Sequence, residues 1–298
     1  MSASSRTPLV HLPRTEQAGI LPTPAQRPDA AAVARHYDEL DYFYRSVWGE
    51  HLHHGLWWNE DDRTPPEEAT TRLLEQAVAP LALTPEMKVV DIGCGYGGVA
   101  RWLAAHHDVR VTGLTLSTRQ AAFAATTAPT SQAVRIRVGD WLHNDLPDAG
   151  FQAALAIESL AHMPDKGAFF HELARTLVPG GRAALACWLA TPDPTLPERL
   201  LLRQICREGT LPGIGTLDDY LRLARNSGLR VLDHRDLSSS VERTWWIIGR
   251  RVLYGLFTDP RYLRFLAGRV FRKRLFVLTI PHMILAYRTG ALRYGFLW

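Results

Sequence analysis

The 298-residue chain has three cysteines, Cys94, Cys187 and Cys206, which stand far apart with no C-x-x-C pair. That scarcity argues against a disulfide scaffold or a zinc site and makes a reducing cytoplasm the simplest compartment. Long apolar runs are also lacking. The longest, Phe276 to Ala286, is interrupted by Pro281 and His282 and is much shorter than the roughly 20 residues needed to cross a bilayer. Residues 1–30 hold five prolines with scattered charges and no apolar block, so they read as a loosely ordered lead-in and not as a signal peptide. There is no internal repeat. The histidines of Trp48-Gly49-Glu50-His51-Leu52-His53-His54-Gly55 invite a metal, but they lack the i, i+4 pairing of helical metal sites, and no metal is expected.

The glycines are informative for what they omit. Val89-Val90-Asp91-Ile92-Gly93-Cys94-Gly95-Tyr96-Gly97-Gly98 is an apolar strand ending in an acid and opening into four glycines, with no Lys or Arg among them and no Lys-Ser or Lys-Thr behind them. This removes the triphosphate-binding loop. Glycines at 93, 95 and 97 let the chain turn sharply and a ligand lie against the main chain. An acid without basic neighbours suits a ligand with a cationic head and no phosphate, and S-adenosylmethionine is such a ligand.

From residue 87 onward, short apolar runs alternate with amphipathic stretches, the pattern of a parallel sheet wound with helices. Strands are expected near 88–91, 110–115, 134–139, 152–157 and 181–187, with a sixth over 230–237 and a closing one at 292–298. Helices fit 29–48, 97–106, 117–127, 166–177, 195–209 and 216–227, the last opened by a Thr216/Asp219 capping box, and 241–275 reads as a helical excursion. The expected fold is α/β, a Rossmann-like seven-stranded sheet with helices on both faces and a helical lid. Its parts are an N-terminal helical lid (31–86), a cofactor-binding core (87–190), a helical substrate lid (191–290) and the closing strand.

In such a sheet, ligands bind beyond the carboxyl ends of the strands. The second strand ends without an acid for the ribose, leaving Thr115, the Leu116 amide and Gln120 for that task. At the third, Asp140 can accept from an adenine amino group and Trp141 can cover the purine. After the fourth come Glu158, at the floor of the cleft, and His162, whose imidazole can accept a proton. The charge is uneven. Residues 241–298 hold eleven Lys or Arg against Glu242 and Asp259, so the formal +4 divides into +9 there and −5 in the first 240 residues. A basic stretch can meet nucleic acid, an anionic lipid surface or a phosphorylated substrate; solvated faces of amphipathic helices are the preferred reading.

These residues resemble a class I S-adenosylmethionine-dependent methyltransferase and, more narrowly, the γ-tocopherol C-methyltransferase family, with kinship to sterol and sugar methyltransferases. The narrow resemblance rests on Val47 to Gly55, the glycine loop, Gly113 to Ser117, Glu158 to Lys166, Leu211-Pro212 with Thr216 to Tyr220, and Pro281 to Gly290. It implies that Asp91, Gly93, Gly95, Thr115, Leu116, Gln120, Asp140, Trp141 and Glu158 surround the cofactor. The W-G-E-H segment would be a lid with aromatic walls Trp48, Trp57 and Trp58. Glu158 and His162 are the catalytic candidates, and His54, Trp57 and Trp188 the acceptor contacts. Cys187 and Trp188 stand where some sugar O-methyltransferases keep a second acid, which disfavours two-base deprotonation of an alcohol. The expected activity is methylation of a lipophilic or aromatic small molecule, preferably at carbon. The alternatives are a terpenoid alkene with cyclisation, an O- or N-acceptor, and a non-catalytic cofactor-binding protein. A nucleic-acid substrate ranks lowest, for want of an Asn/Asp-Pro-Pro-Tyr signature. A monomer or homodimer with peripheral membrane contact completes the expectation.

Overall fold

A computed structural model describes residues 27–127, 133–262 and 271–298. Most of the expected lead-in, residues 1–26, lies outside the described residues, as do 263–270 of the helical excursion. Seven strands form one sheet: β1 (Lys88–Ile92), β2 (Arg110–Thr115), β3 (Val134–Val138), β4 (Phe151–Ile157), β5 (Leu177–Ala190), β6 (His234–Asp236) and β7 (Leu292–Leu297). Their order is β3-β2-β1-β4-β5-β7-β6, with β7 antiparallel to both neighbours and the other pairings parallel. The order reverses at β1, between β2 and β4, which opens a crevice at the carboxyl ends of those strands.

Alternation along the strands assigns the two faces. Val89, Val111 and Leu155 join one apolar cluster, while Val90, Ile92 and Ala154 join the other. Both faces are buried, as a parallel sheet requires. Helices α1 (Ala30–Trp48), α2 (Pro66–Val78), α3 (Gly98–His107) and α4 (Thr118–Thr127) precede β3, and α5 (Lys166–Thr176) precedes β5. Beyond β5 come α6 (Leu196–Glu208), α7 (Leu217–Asn226), α8 (Ser238–Val241), α9 (Arg243–Thr258) and α10 (Phe271–Thr289). Phe169, Phe170 and Leu173 of α5 fill one face beside Tyr220 of α7; Leu73, Leu103, Ile248 and Ile280 fill the other.

Local chemistry sets the ends of the helices. Asp29 caps α1 through Ala32 N at 2.7 Å. Thr216 and Asp219 form the expected capping box of α7, Thr216 N donating to Asp219 Oδ2 at 3.0 Å. Two expected boundaries shift. The sixth strand is confined to 234–236, because Leu232 N and Asp233 O are already engaged with the Trp298 main chain and extend the contact irregularly. The helical excursion expected over 241–275 reaches Thr289: Pro281 removes one amide donor, and α10 continues through it. Among the described residues no helix is long and apolar enough to cross a membrane.

Candidate active site

One cleft lies over the carboxyl ends of β1, β2, β3 and β4 and holds about 1200 Å3 of free space, its open mouth included. Its wall contains Gly93, Gly95, Thr115, Leu116, Gln120, Asp140, Trp141, Glu158, His162, His54 and Trp188. Three expected residues are not in the wall. Asp91 is buried behind the glycine turn. Trp57 is buried, and its indole donates to Thr64 O at 2.9 Å. Trp58 is exposed beside Arg72 and walls nothing. Of the three aromatic lid residues only Trp48 reaches the cleft.

The half of the cleft near β1 and β2 is built from main chain and small polar groups. Gly93 and Gly95 take φ of 76° and 53°. A Cβ on Gly93 would fall 2.4 Å from that of Ser159, whose hydroxyl donates to Ile92 O and ties β4 to β1. Only glycine meets both demands there. Thr115 donates to Gln120 Oε1 at 2.6 Å, and Ser117 Oγ accepts from Gln120 N and donates to Asp38 on α1. The start of α4 is thereby locked to the lid helix. Asp140 Oδ1 caps Leu142 N and Oδ2 faces His143 Nδ1. The Trp141 indole donates to Phe169 O, which fixes the plane of the ring.

Behind this half, Asp91 Oδ2 has no hydrogen-bond partner, and burial pushes the carboxyl up to about 7. A buried acid without a donor lacks a cation. The adjoining wall offers a glycine cradle, an indole and a set of short polar side chains. These residues fit S-adenosylmethionine, whose cationic amino-acid end would answer Asp91, with Thr115, Gln120, Asp140 and Trp141 left for the nucleoside.

The other half is aromatic and is assembled from distant segments: Tyr37, Tyr44 and Trp48 of α1, Trp188 of β5 and Trp245 of α9. At its floor stands Glu158, at φ 57° just past β4. Its Oε1 accepts from His54 N at 2.8 Å, His54 Nδ1 at 2.8 Å and Tyr294 OH at 2.9 Å; Oε2 accepts from Trp188 Nε1 at 3.2 Å. Burial opposes the charge, but the His54 and His53 imidazoles and the hydrogen bonds from His54 hold Glu158 below the usual carboxylate range. Trp245 Nε1 donates to His54 Nε2 at 2.8 Å. An indole N–H can only donate, so Nε2 accepts and the His54 hydrogen sits on Nδ1, directed at Glu158. The Tyr287 hydroxyl lies 3.2 Å from the same Nε2.

His162 pairs through Nε2 with Tyr37 OH at 2.8 Å. Burial, with the neighbouring charges of His36 and Lys166, lowers its imidazole to about 3, so it is neutral at physiological pH. Lys166 is buried and donates to Ala161 O and Met163 O, clamping the turn on both sides of His162. The roles of Tyr37, Trp245, Tyr287 and Tyr294 were missed in the sequence. Tyr37, Tyr44 and Trp48 repeat at i, i+7 and i+11, a stripe that was there to be read; the other three carry no local signal.

Comparison with known proteins agrees with this geometry. Residues 25–247 match the model of the mycolic acid cyclopropane synthetase family. The chain is 30% identical over 285 residues to tocopherol O-methyltransferase of Arabidopsis thaliana, covering 88% of this chain and 80% of the relative. It is 34% identical over 222 residues to 27-O-demethylrifamycin SV methyltransferase of Amycolatopsis mediterranei, covering 74% and 81%. Its fold matches a mycolic acid cyclopropane synthase solved with SAH and CTAB at a TM-score of 0.78, with 21% identity, over 92% of this chain and 99% of the other. The chain belongs to the mycolic acid cyclopropane synthetase family and is a class I S-adenosylmethionine-dependent methyltransferase.

Proposed function

We propose that the enzyme methylates an electron-rich carbon, in an aromatic ring or an alkene, of a lipophilic small molecule. The observation that carries this reading is the set of donors around Glu158: four converge on it, three on Oε1 and one on Oε2. Held ionised by them, Glu158 is a fixed negative charge and a weak base. Such a charge stabilises positive charge developing above the cleft floor, and the aromatic residues Tyr37, Trp188 and Trp245 line the cleft around it, where a ring face would add to that stabilisation.

When bound, S-adenosylmethionine supplies a methyl group on positively charged sulfur. Gly93, Gly95, Thr115, Gln120, Asp140 and Trp141 would hold it, with Asp91 balancing its charge from behind. The lid residues Tyr37, Tyr44 and Trp48 exclude water and orient the acceptor, the main source of acceleration for a displacement that demands collinear groups. His162 takes the last proton. A neutral imidazole whose conjugate acid lies near 3 faces a deficit of roughly seven powers of ten against a phenol of pKa near 10. A proton on a carbocation needs no such help, because its loss is downhill. Tyr37, bonded to His162, offers the route from cleft to imidazole.

An oxygen acceptor is the competing reading, since the names of both relatives mention oxygen. Incubation with 13C-methyl-labelled S-adenosylmethionine and prenylated hydroquinones or polyprenyl alkenes, followed by carbon NMR of the product, decides between them. A methyl resonance in the carbon-bound region supports the proposal; a methoxy resonance as the sole product overturns it. Product mass and hydrogen count then separate ring methylation from alkene methylation with cyclisation.

A further inference from the structure

Helix α9 is apolar on two sides. Its inner side, Trp245, Ile248 and Val252, is buried, and Trp245 walls the acceptor half of the cleft. The outward positions Trp246, Arg250, Leu253, Tyr254 and Phe257 follow the helical repeat at i, i+4, i+7, i+8 and i+11 and are exposed. Tyr254 is 72% and Phe257 84% accessible. A contiguous exposed aromatic and leucine stripe is unusual on a soluble surface and marks a docking site. With Pro66 at the start of α2, Arg250, Leu253, Tyr254 and Phe257 of the stripe line an open groove of about 1130 Å3, to which Ile247 and Arg251 also contribute.

The charges around the stripe indicate the partner. Arg251 is tied to Val47 O and Glu67, but Arg250 has no hydrogen-bond or ion-pair partner among the described residues. Arg288 lies 4.9 Å over the Trp246 ring. A second copy of the chain apposed through this same face would bring Arg250 and Arg288, both exposed, against the same sign. An anionic bilayer complements both components, with aromatic and leucine side chains entering the interface and arginines meeting phosphate.

We infer that the outer face of α9 docks on an anionic lipid surface, which sets the inner face of the same helix, and the acceptor cleft behind it, next to the phase where a lipophilic acceptor dissolves. The purpose of this contact rests on the proposed acceptor class, but the contact is read without turnover. A chain that binds vesicles and methylates no lipophilic compound would separate the two claims.

The test is flotation of the full chain with vesicles of phosphatidylcholine and phosphatidylglycerol in equal parts, and with phosphatidylcholine alone. The wild type is expected to float with the anionic vesicles at least tenfold more strongly, and to be released by 0.5 M salt in part, since charge is screened and apolar insertion is not. The double variant Leu253→Asp/Phe257→Asp should lose at least tenfold in binding, and Arg250→Glu about threefold. Unchanged calorimetric affinity for S-adenosylmethionine would show that the variants are folded. Equal flotation of wild type and double variant, or no flotation with either vesicle, would overturn the proposal. So would a lipid-free dimer in sedimentation that the double variant splits, which would make this face an interface between copies.

Discussion

Asp91 at the end of β1 and Glu158 just past the end of β4 stand on neighbouring parallel strands, and both are buried, yet their surroundings are opposite. Asp91 has an oxygen with no partner and is pushed up to about 7. Glu158 is held down by four donors supplied by His54, Trp188 and Tyr294. The first carboxylate has an oxygen without a partner, and the second is held by groups of the protein itself. On the proposed function the two divide the labour: the β1 end would answer the cation that arrives with the cofactor, and the β4 end would offer a standing charge to one that forms during the reaction.

Glu158→Gln should break the contrast most strongly. The amide brings no charge and sets its own N–H groups against donors, so kcat should fall about a thousandfold, ~4 kcal/mol of barrier, while affinity for S-adenosylmethionine changes far less. A fall confined to cofactor affinity would assign Glu158 to binding instead. Asp91→Asn comes next: calorimetry should show about a hundredfold weaker S-adenosylmethionine binding, ~3 kcal/mol. Its effect on stability has the opposite sign. An acid whose folded pKa is raised keeps its proton in the folded state between about 4 and 7, so it lowers stability as pH rises through that window, by ~4 kcal/mol at the upper limit. The difference in ligand-free stability between Asp91→Asn and wild type should grow from pH 4 to 7 in favour of the variant; denaturant titrations that stay parallel would contradict this.

Trp245→Phe sharpens the comparison from the Glu158 side. It removes the donor to His54 Nε2 and leaves that nitrogen to the longer contact with Tyr287, so the ring that positions Glu158 is held less firmly, and kcat should drop about tenfold with an unchanged dissociation constant for the cofactor. Trp57→Phe should be the mildest. Losing the bond to Thr64 O should cost about 1 kcal/mol of stability and leave the acceptor KM within about twofold; a large rise in KM would restore Trp57 to the acceptor site.

The same division explains what could be read in advance. The glycine turn, Thr115, Gln120, Asp140 and Trp141 follow strand ends within fifty residues of one another, and strand periodicity with turn chemistry locates such positions. The partners of Glu158 come from residues 54, 188 and 294, and Trp245 and Tyr287 complete the shell around His54; only the tertiary fold brings them together. The W-G-E-H run looks like one continuous lid in the sequence, but Trp57 stands outside the cleft wall. Gly55 in fact packs against the Trp57 ring, where a Cβ would fall 2.7 Å from Cη2. The run turns inward there, and Leu56 N bonds to Ala69 O beside α2. Asp91 is legible as the acid that ends the first strand, but its burial and its unpartnered oxygen appear only in the fold.

The most direct test is the pH dependence of kcat at saturating S-adenosylmethionine with a lipophilic carbon acceptor. With Glu158 held low and His162 near 3, no catalytic group titrates in the neutral range, and kcat should be flat from about pH 5 to 9. A tenfold rise per pH unit ending near pH 7 would reveal a conventional general base and contradict the account.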